Sequence, residues 1–301
     1  MHIELKAHLQ DYRKVRNFNV DEWVTKKITS LNNYMKQYNL STCVIGCSGG
    51  IDSAATFALC MKAKEMDGSP IKHIVPVLMP MYPSKSKTYN RAVELCNYFK
   101  VTPFTDEIGV QAQTMMEKSG TKLSNWMKVQ TGSGVNDKAN KFAYGQLQSY
   151  LRTPHLYFTA QMMSQHGFPA IVMGTGNQDE DGYLAYFCKA GDGVVDLQLI
   201  NDCHKSEVFT VAHYLGVPES ILTAKPTADL WEGQTDEDEL GVPYDFVELF
   251  TGYFLKKSEE QQKELLDSLN TDALKEFNDF AKKCVNTHLR NRHKLSGVVN
   301  L

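Results

Sequence analysis

A strand that runs into paired glycines and passes straight into a helix leaves few folds open to a chain. Thr42-Cys43-Val44-Ile45-Gly46-Cys47 is a short apolar run, Ser48-Gly49-Gly50 interrupts it, and an Ala- and Leu-rich stretch follows over residues 53–65. That pattern predicts strand, tight loop, helix. The unit recurs. Residues 71–79 (IKHIVPVLM) predict a second strand with a helix over 86–99, residues 101–105 a third strand, and residues 170–175 (AIVMGT) a further one behind a helix over 147–165. Short buried strands alternating with helices imply a parallel sheet covered on both faces, since each parallel crossover lays its helix on the sheet. Ahead of the first strand, Val24, Ile28, Leu31, Met35 and Tyr38 recur at helical spacing and predict a helix over 21–38. Helices over 205–215 and 271–289 dominate the last third. Between residues 120 and 145 the periodicity fades, which reads as a mobile, lid-forming insertion. Residues 1–20 read as an N-terminal arm ahead of one domain spanning 21–301.

Composition excludes several classes. With 42% hydrophobic and 22% charged residues in 301, the chain has the balance of a globular protein, and at this size one fold buries about three quarters of its unfolded surface. A net charge of −3 offers no basic excess for a nucleic acid. There is no apolar run long enough to cross a membrane and no secretory h-region in residues 1–20. The seven cysteines include no CxxC pair, so neither a zinc site nor a disulfide framework is expected; Cys43 and Cys60, set in apolar runs, read as buried thiols of a cytoplasmic protein.

The glycine loop carries the chemistry. Gly46-Cys47-Ser48-Gly49-Gly50-Ile51-Asp52-Ser53 opens a helix, whose first N–H groups lack backbone partners and present the positive end of the dipole to a phosphate. Gly49 and Gly50 let the backbone approach the oxygens, and Ser48 and Ser53 add hydroxyls. Asp52 would repel phosphate directly, but suits Mg2+ held beside it. No lysine follows the glycines, so this is not a Walker loop.

Ser48-Gly49-Gly50-Ile51-Asp52-Ser53 resembles the pyrophosphate loop of the ATP pyrophosphatase (PP-loop) superfamily. Downstream come Gly174-Thr175-Gly176-Asn177-Gln178-Asp179-Glu180, then Phe187-Cys188-Lys189-Ala190-Gly191-Asp192-Gly193-Val194-Val195-Asp196, His204-Lys205-Ser206-Glu207, Lys225-Pro226-Thr227-Ala228-Asp229-Leu230-Trp231, a run from Gln234 to Gly241, and His293-Lys294. In this order the set is similar to the ammonia-dependent NAD synthetases, from about residue 40 to the C-terminus. The resemblance implies a Rossmann-like parallel sheet flanked by helices, of the adenine-nucleotide α-hydrolase type. It implies a homodimer that adenylates the carboxylate of deamido-NAD with ATP and lets ammonia displace AMP, with no nucleic-acid or membrane partner.

Residue by residue, the resemblance puts Asp52 and Glu180 on Mg2+, and Gly46, Cys47, Ser48, Gly49, Gly50, Ile51, Asp52, Ser53, Thr175, Lys205 and Thr227 on ATP. It puts Arg152, Lys189, Asp196, His293 and Lys294 on deamido-NAD, and makes Asp192 the group that helps deprotonate ammonium; Asp52, Lys205 and Asp192 form the catalytic set. Two arginines of the family pattern are absent. Tyr150-Leu151-Arg152 stands where an Arg-x-Arg is common, and Val77-Leu78-Met79-Pro80 carries none at the end of the second strand. Glutamine-using relatives carry an added amidase domain for which 301 residues leave no room, so the expectation is that free ammonia is used directly or a separate partner supplies it. The alternatives are another PP-loop adenylating synthetase and a catalytically silent nucleotide-binding relative.

Overall fold

The computed structural model describes residues 1–81, 87–132, 137–227 and 235–300. Five strands, β1 (Thr42–Gly46), β2 (His73–Leu78), β3 (Phe104–Thr105), β4 (Ala170–Gly174) and β5 (Leu197–Gln198), form one sheet in the order β3-β2-β1-β4-β5. All four pairings are parallel, with Val44 opposite both Val75 and Val172. The helices, in chain order, are α1 (Ile3–Arg16), α2 (Val20–Gln37), α3 (Ile51–Lys64), α4 (Lys87–Tyr98), α5 (Gly109–Met115), α6 (Thr121–Thr131) and α7 (Asp137–Gln165). They continue as α8 (Gln178–Asp181), α9 (Lys205–Tyr214), α10 (Glu219–Leu222), α11 (Asp236–Leu240), α12 (Tyr244–Glu248), α13 (Glu259–Ser268) and α14 (Thr271–Asn291).

The period of two sorts β1 between two cores. Cys43 and Ile45 point into the larger one, with Phe57 of α3, Leu31 of α2 and Val208 of α9, whereas Val44 joins Val77, Val172 and Ala160 under α7. Pro76 sits inside β2, opposite Ile45. Val77 C=O accepts from Cys47 N–H, so Val77 faces β1 and Pro76 turns its missing donor toward the β3 side. There β3 pairs only from Val77 onward, and no ladder bond is lost.

From β1 the chain adds strands on one side (β2, β3) and then returns to add the others (β4, β5). The order therefore reverses between β1 and β4. In an open parallel sheet the crevice outside the carboxyl ends at such a reversal is where ligands bind. The Ser48–Ser53 loop leaves β1 there and the Thr175–Glu180 loop leaves β4 beside it.

The first twenty residues, expected as an arm, fold as α1 and pack in. Leu5 and Leu9 are buried in a second core with Phe246, Phe250, Phe254 and Phe277 from α12, the turns after it, and α14. The 120–145 insertion is also helical where described: α5 runs through a π-turn, Met116–Gly120, into α6, and α7 begins at Asp137, ten residues before the predicted start. α6 has no buried residue, which is why no apolar period marks it in the sequence. In the second core, Phe246 is fully buried and its ring meets those of Phe250, Phe277 and Phe280. Phe246→Ala is expected to cost about 3–5 kcal/mol, read as a lower urea midpoint at unchanged slope.

Candidate active site

The crevice opens into a cavity of about 800 Å3, within the size range of nucleotide-class ligand sites. Its floor is the start of α3. Gly50 caps this helix without a side-chain hydrogen bond, and Ile51, Asp52 and Ser53 line the cavity. The loop is already folded on itself: Ser48 Oγ accepts Gly50 N–H (3.2 Å) and lies 3.1 Å from Ser53 Oγ, which accepts Ser48 N–H (3.3 Å). Gly49 has φ +82°, and a Cβ there would lie 2.0 Å from the Thr88 carbonyl oxygen, so only glycine makes this turn against α4. Arg91, from α4, donates to Gly49 C=O (3.2 Å) and lines the cavity. It brings a guanidinium to the loop whose neighbouring strand end lacks one.

Three charged groups converge at the centre. Lys205, the first residue of α9, is 3% exposed, and its Nζ lies 2.7 Å from both Asp52 Oδ2 and Glu180 Oε1. Asn177 Nδ2 donates to Asp52 Oδ1 (2.8 Å) while its Oδ1 caps the α8 amides of Asp179 and Glu180. Tyr244 OH donates to Glu180 Oε1 (2.6 Å) and lies 3.2 Å from Asp236 Oδ2. Burial works against the charge on Lys205, but Asp52 and Glu180 outweigh it and hold the ammonium protonated. Burial likewise opposes the charge on Glu180, yet the Lys205 and Tyr244 contacts hold its carboxyl below the ordinary value. Burial, with Glu180 nearby, raises Asp52 despite Lys205.

Further acids line the same cavity. Burial pushes Asp181 up to about 8, with Asp192 and Glu180 adding to the rise, although Gln198 donates to Asp181 Oδ2 (3.1 Å). Asp192 is exposed to the cavity, where poorer hydration raises it to about 6; its Oδ1 accepts Cys188 N–H (2.7 Å). Asp236 is raised by burial to about 6.

The expected site residues therefore divide. Ser48, Gly50, Ile51, Asp52, Ser53, Thr175, Glu180, Asp192, Lys205, Thr227 and Lys294 all line the cavity. Gly46, Cys47 and Gly49 lie behind it: Cys47 N–H is spent on Val77 C=O and its thiol is buried, so the ATP contact expected of Cys47 has no free donor. Four of the five residues expected on deamido-NAD are outside the wall. Arg152 donates to Gln148 C=O (2.8 Å), Lys189 Nζ to Ser296 C=O (2.8 Å), and His293 Nδ1 lies 3.1 Å from Arg290 C=O. Asp196 holds the sheet instead, accepting Val172 N–H (2.7 Å) and Tyr157 OH (3.1 Å). Residues 228–231 and Gln234 of the expected motifs lie outside the described residues. Reading the sequence missed Arg91, Asp181, Asp236 and Tyr244. Asp181 and Asp236 sit inside acidic runs that look solvated, and nothing local to Arg91 or Tyr244 marks them.

Residues 23–297 match the NAD synthase family. The chain belongs to that family. An NH(3)-dependent NAD(+) synthetase of Thermoplasma volcanium is 33% identical over 252 residues, 83% of this chain and 86% of the relative. One from Methanococcoides burtonii is 36% identical over 206 residues, 68% of each chain. Among solved structures, an NMN synthetase from Francisella tularensis superposes with a TM-score of 0.72 at 27% identity, covering 94% of this chain and 99% of its own. An NH3-dependent NAD synthetase from Campylobacter jejuni shares the fold, with a TM-score of 0.66 and 20% identity. These NAD synthase likenesses span the PP-loop α/β architecture described above.

The acids of this NAD synthase cavity have a measurable signature. An unfolded aspartate titrates near about 3.9, whereas Asp181 in the folded chain holds its proton to about 8. Between those values the folded state binds a proton that the unfolded state lacks, so stability falls as pH rises through the window. Asp181→Asn removes that slope. Its melting temperature is expected to gain on the parent steadily from about pH 4 to about pH 8, measured without nucleotide; a gain independent of pH would contradict the assignment.

Proposed function

We propose that this chain makes NAD by ATP-dependent amidation of deamido-NAD with ammonia. The observation that carries the reading is the convergence of an uncapped α3 N-terminus, Lys205 and two carboxylates in one cavity at the strand-order reversal. Membership of the NAD synthase family supports the same chemistry. The α3 amides and the Ser48 and Ser53 hydroxyls would take the ATP phosphates, and Thr175 and Thr227 stand on the wall within the same cavity. A carboxylate oxygen of the acceptor attacks the α-phosphorus, the bond to the bridging oxygen breaks, and pyrophosphate leaves. Lys205, held cationic, meets the charge that grows on the leaving group. Ammonia then attacks the acyl carbon and AMP departs with the electron pair of the broken bond. Asp192 is the group we assign to take the proton from ammonium, being open to the cavity and raised to about 6.

Asp52 and Glu180 suit Mg2+, which typically binds one or two carboxylates and completes its octahedron with phosphate oxygens and water. Both carboxylates already embrace a cation, the Lys205 ammonium. Among the described residues no cluster of three His, Cys, Asp or Glu could hold a metal alone, so the ion would arrive with the nucleotide. When bound it would neutralise polyphosphate charge.

One observation favours a second acceptor. Of the residues expected on the dinucleotide only Lys294 lines the cavity, and the Francisella relative is an NMN synthetase. The nicotinate mononucleotide would undergo the same amidation with fewer contacts. We also assign the protein to the cytoplasm as a homodimer. Seven free buried cysteines support the first. Exposed Val110, Trp126, Phe158 and Met162, on α5 to α7, support the second. No helix among the described residues is long and apolar enough to cross a membrane.

The test supplies ATP, Mg2+ and ammonium with deamido-NAD or with the mononucleotide, and quantifies the amide product and AMP. Equimolar NAD and AMP with the dinucleotide is the expected result. Product from the mononucleotide alone would move the assignment to the second acceptor, and AMP from neither would overturn both.

A further inference from the structure

We infer that α1, which precedes the family match, belongs to the catalytic apparatus: Tyr12 is a positioning residue that sets Lys205 through the buried chain Tyr12–His204–Asp179. The inference rests on the adenylation reading above only for what Lys205 does once it is in place.

The chain of contacts is continuous. Tyr12 OH lies 2.9 Å from His204 Nε2, His204 Nδ1 lies 2.7 Å from Asp179 Oδ1, and Asp179 Oδ2 accepts the backbone N–H of Lys205 (2.7 Å). His204 is 0% exposed and Asp179 is 1% exposed, so no water competes for these partners. Asp179 holds the Nδ1 side of the ring, which leaves the Nε2 side to the tyrosine hydroxyl. Asp179 stands next to Glu180 on α8 and holds the first amide of α9, so it fixes how far Glu180 and Lys205 sit from each other.

Two arginines of α1 extend the grip. Arg16 pairs with Glu207, whose Oε2 accepts His204 N–H (2.9 Å). Arg13 holds Glu248 through Nε (2.9 Å) and Nη2 (2.6 Å), and Glu248 Oε2 accepts Ser206 Oγ (2.8 Å). Tyr12, Arg13 and Arg16 of α1 thus reach, directly or through Glu248, residues 204, 206 and 207. Lys205 is the one residue in that turn left to the cavity. Gly252 shows that the fold makes room for this link: a Cβ there would lie 2.6 Å from Tyr12 OH and 2.8 Å from His204 Nε2. α1 itself is anchored by Leu5 and Leu9 in the second core, so it is a rigid base for the chain. A lysine that meets developing charge depends on this kind of support, because small misplacements far from the chemistry cost up to about 100-fold in rate.

The experiment compares wild type, Tyr12→Phe and Met35→Ala, all full length. It measures ATP–pyrophosphate exchange with the acceptor, KM for ammonium, Mg2+-pyrophosphate affinity by calorimetry, and melting temperature. Tyr12→Phe removes one hydroxyl and is expected to lower exchange about tenfold and weaken pyrophosphate about threefold or more, with KM for ammonium unchanged. Met35→Ala opens a cavity in the larger core, on α2 and away from the α1 contacts, so it should lose stability and keep exchange. Exchange and pyrophosphate affinity of Tyr12→Phe both within about twofold of wild type would overturn the inference. So would Met35→Ala losing as much exchange as Tyr12→Phe for the same fall in melting temperature. If wild type exchanges with no acceptor, the adenylation reading fails, and the pyrophosphate affinities still decide whether Tyr12 positions Lys205.

Discussion

A single ammonium, that of Lys205, ties together three segments that lie far apart along the chain. Asp52 reaches it from the loop after β1, Glu180 from the loop after β4, and Lys205 itself opens α9. A buried lysine without partners would give up its proton, and two adjacent carboxylates without a cation would repel each other. Together they satisfy one another, and the need to do so holds the two loops at the reversal point of the sheet. The surrounding polar groups follow from it. Asn177 and Tyr244 donate to the carboxylate oxygens, and Asp179 holds the α9 amide.

The cavity around this centre carries both signs of charge. Its floor offers backbone amides and the positive end of α3, which suits phosphate. The same lining carries Asp181, Asp192 and Asp236, which would repel anions if all three were ionised. Burial prevents that: Asp181 keeps its proton at neutral pH, while Asp192 and Asp236 titrate close to it. The negative charge facing a polyphosphate is therefore smaller than the number of acids suggests. The same enclosure leaves carboxylates poised to exchange protons with an amine, so one cavity can serve both an anionic nucleotide and a cationic nitrogen source.

The parallel sheet was legible because buried strands and covering helices have different periods. Val44 and Ile45 read as a strand because both faces of β1 are buried, and residues 24, 28, 31 and 35 read as a helix because only one face of α2 is. α6 carried no such mark, since none of its side chains is buried. α1 carried a faint one, Leu5 and Leu9 one turn apart, drowned in a charged surrounding sequence. Of the site, Asp52, Glu180 and Lys205 were readable because they stand in ordered motifs. Arg91, which reaches the glycine loop, and Tyr244, which reaches the centre, were not, for each comes from an element whose own sequence serves packing.

Sequence by itself determined the class of fold, the loop that can cradle phosphate and the family, because each depends on neighbours within a few residues or on an ordered set of motifs. Only the tertiary structure decided the rest. It spent the Cys47 amide on β2, left Arg152, Lys189, Asp196 and His293 out of the cavity lining, and joined α1 to Lys205 through His204. Whether a donor is free, a carboxyl keeps its proton or a lysine is held still depends on groups that fall beside it in space, and spacing along the chain carries no record of them.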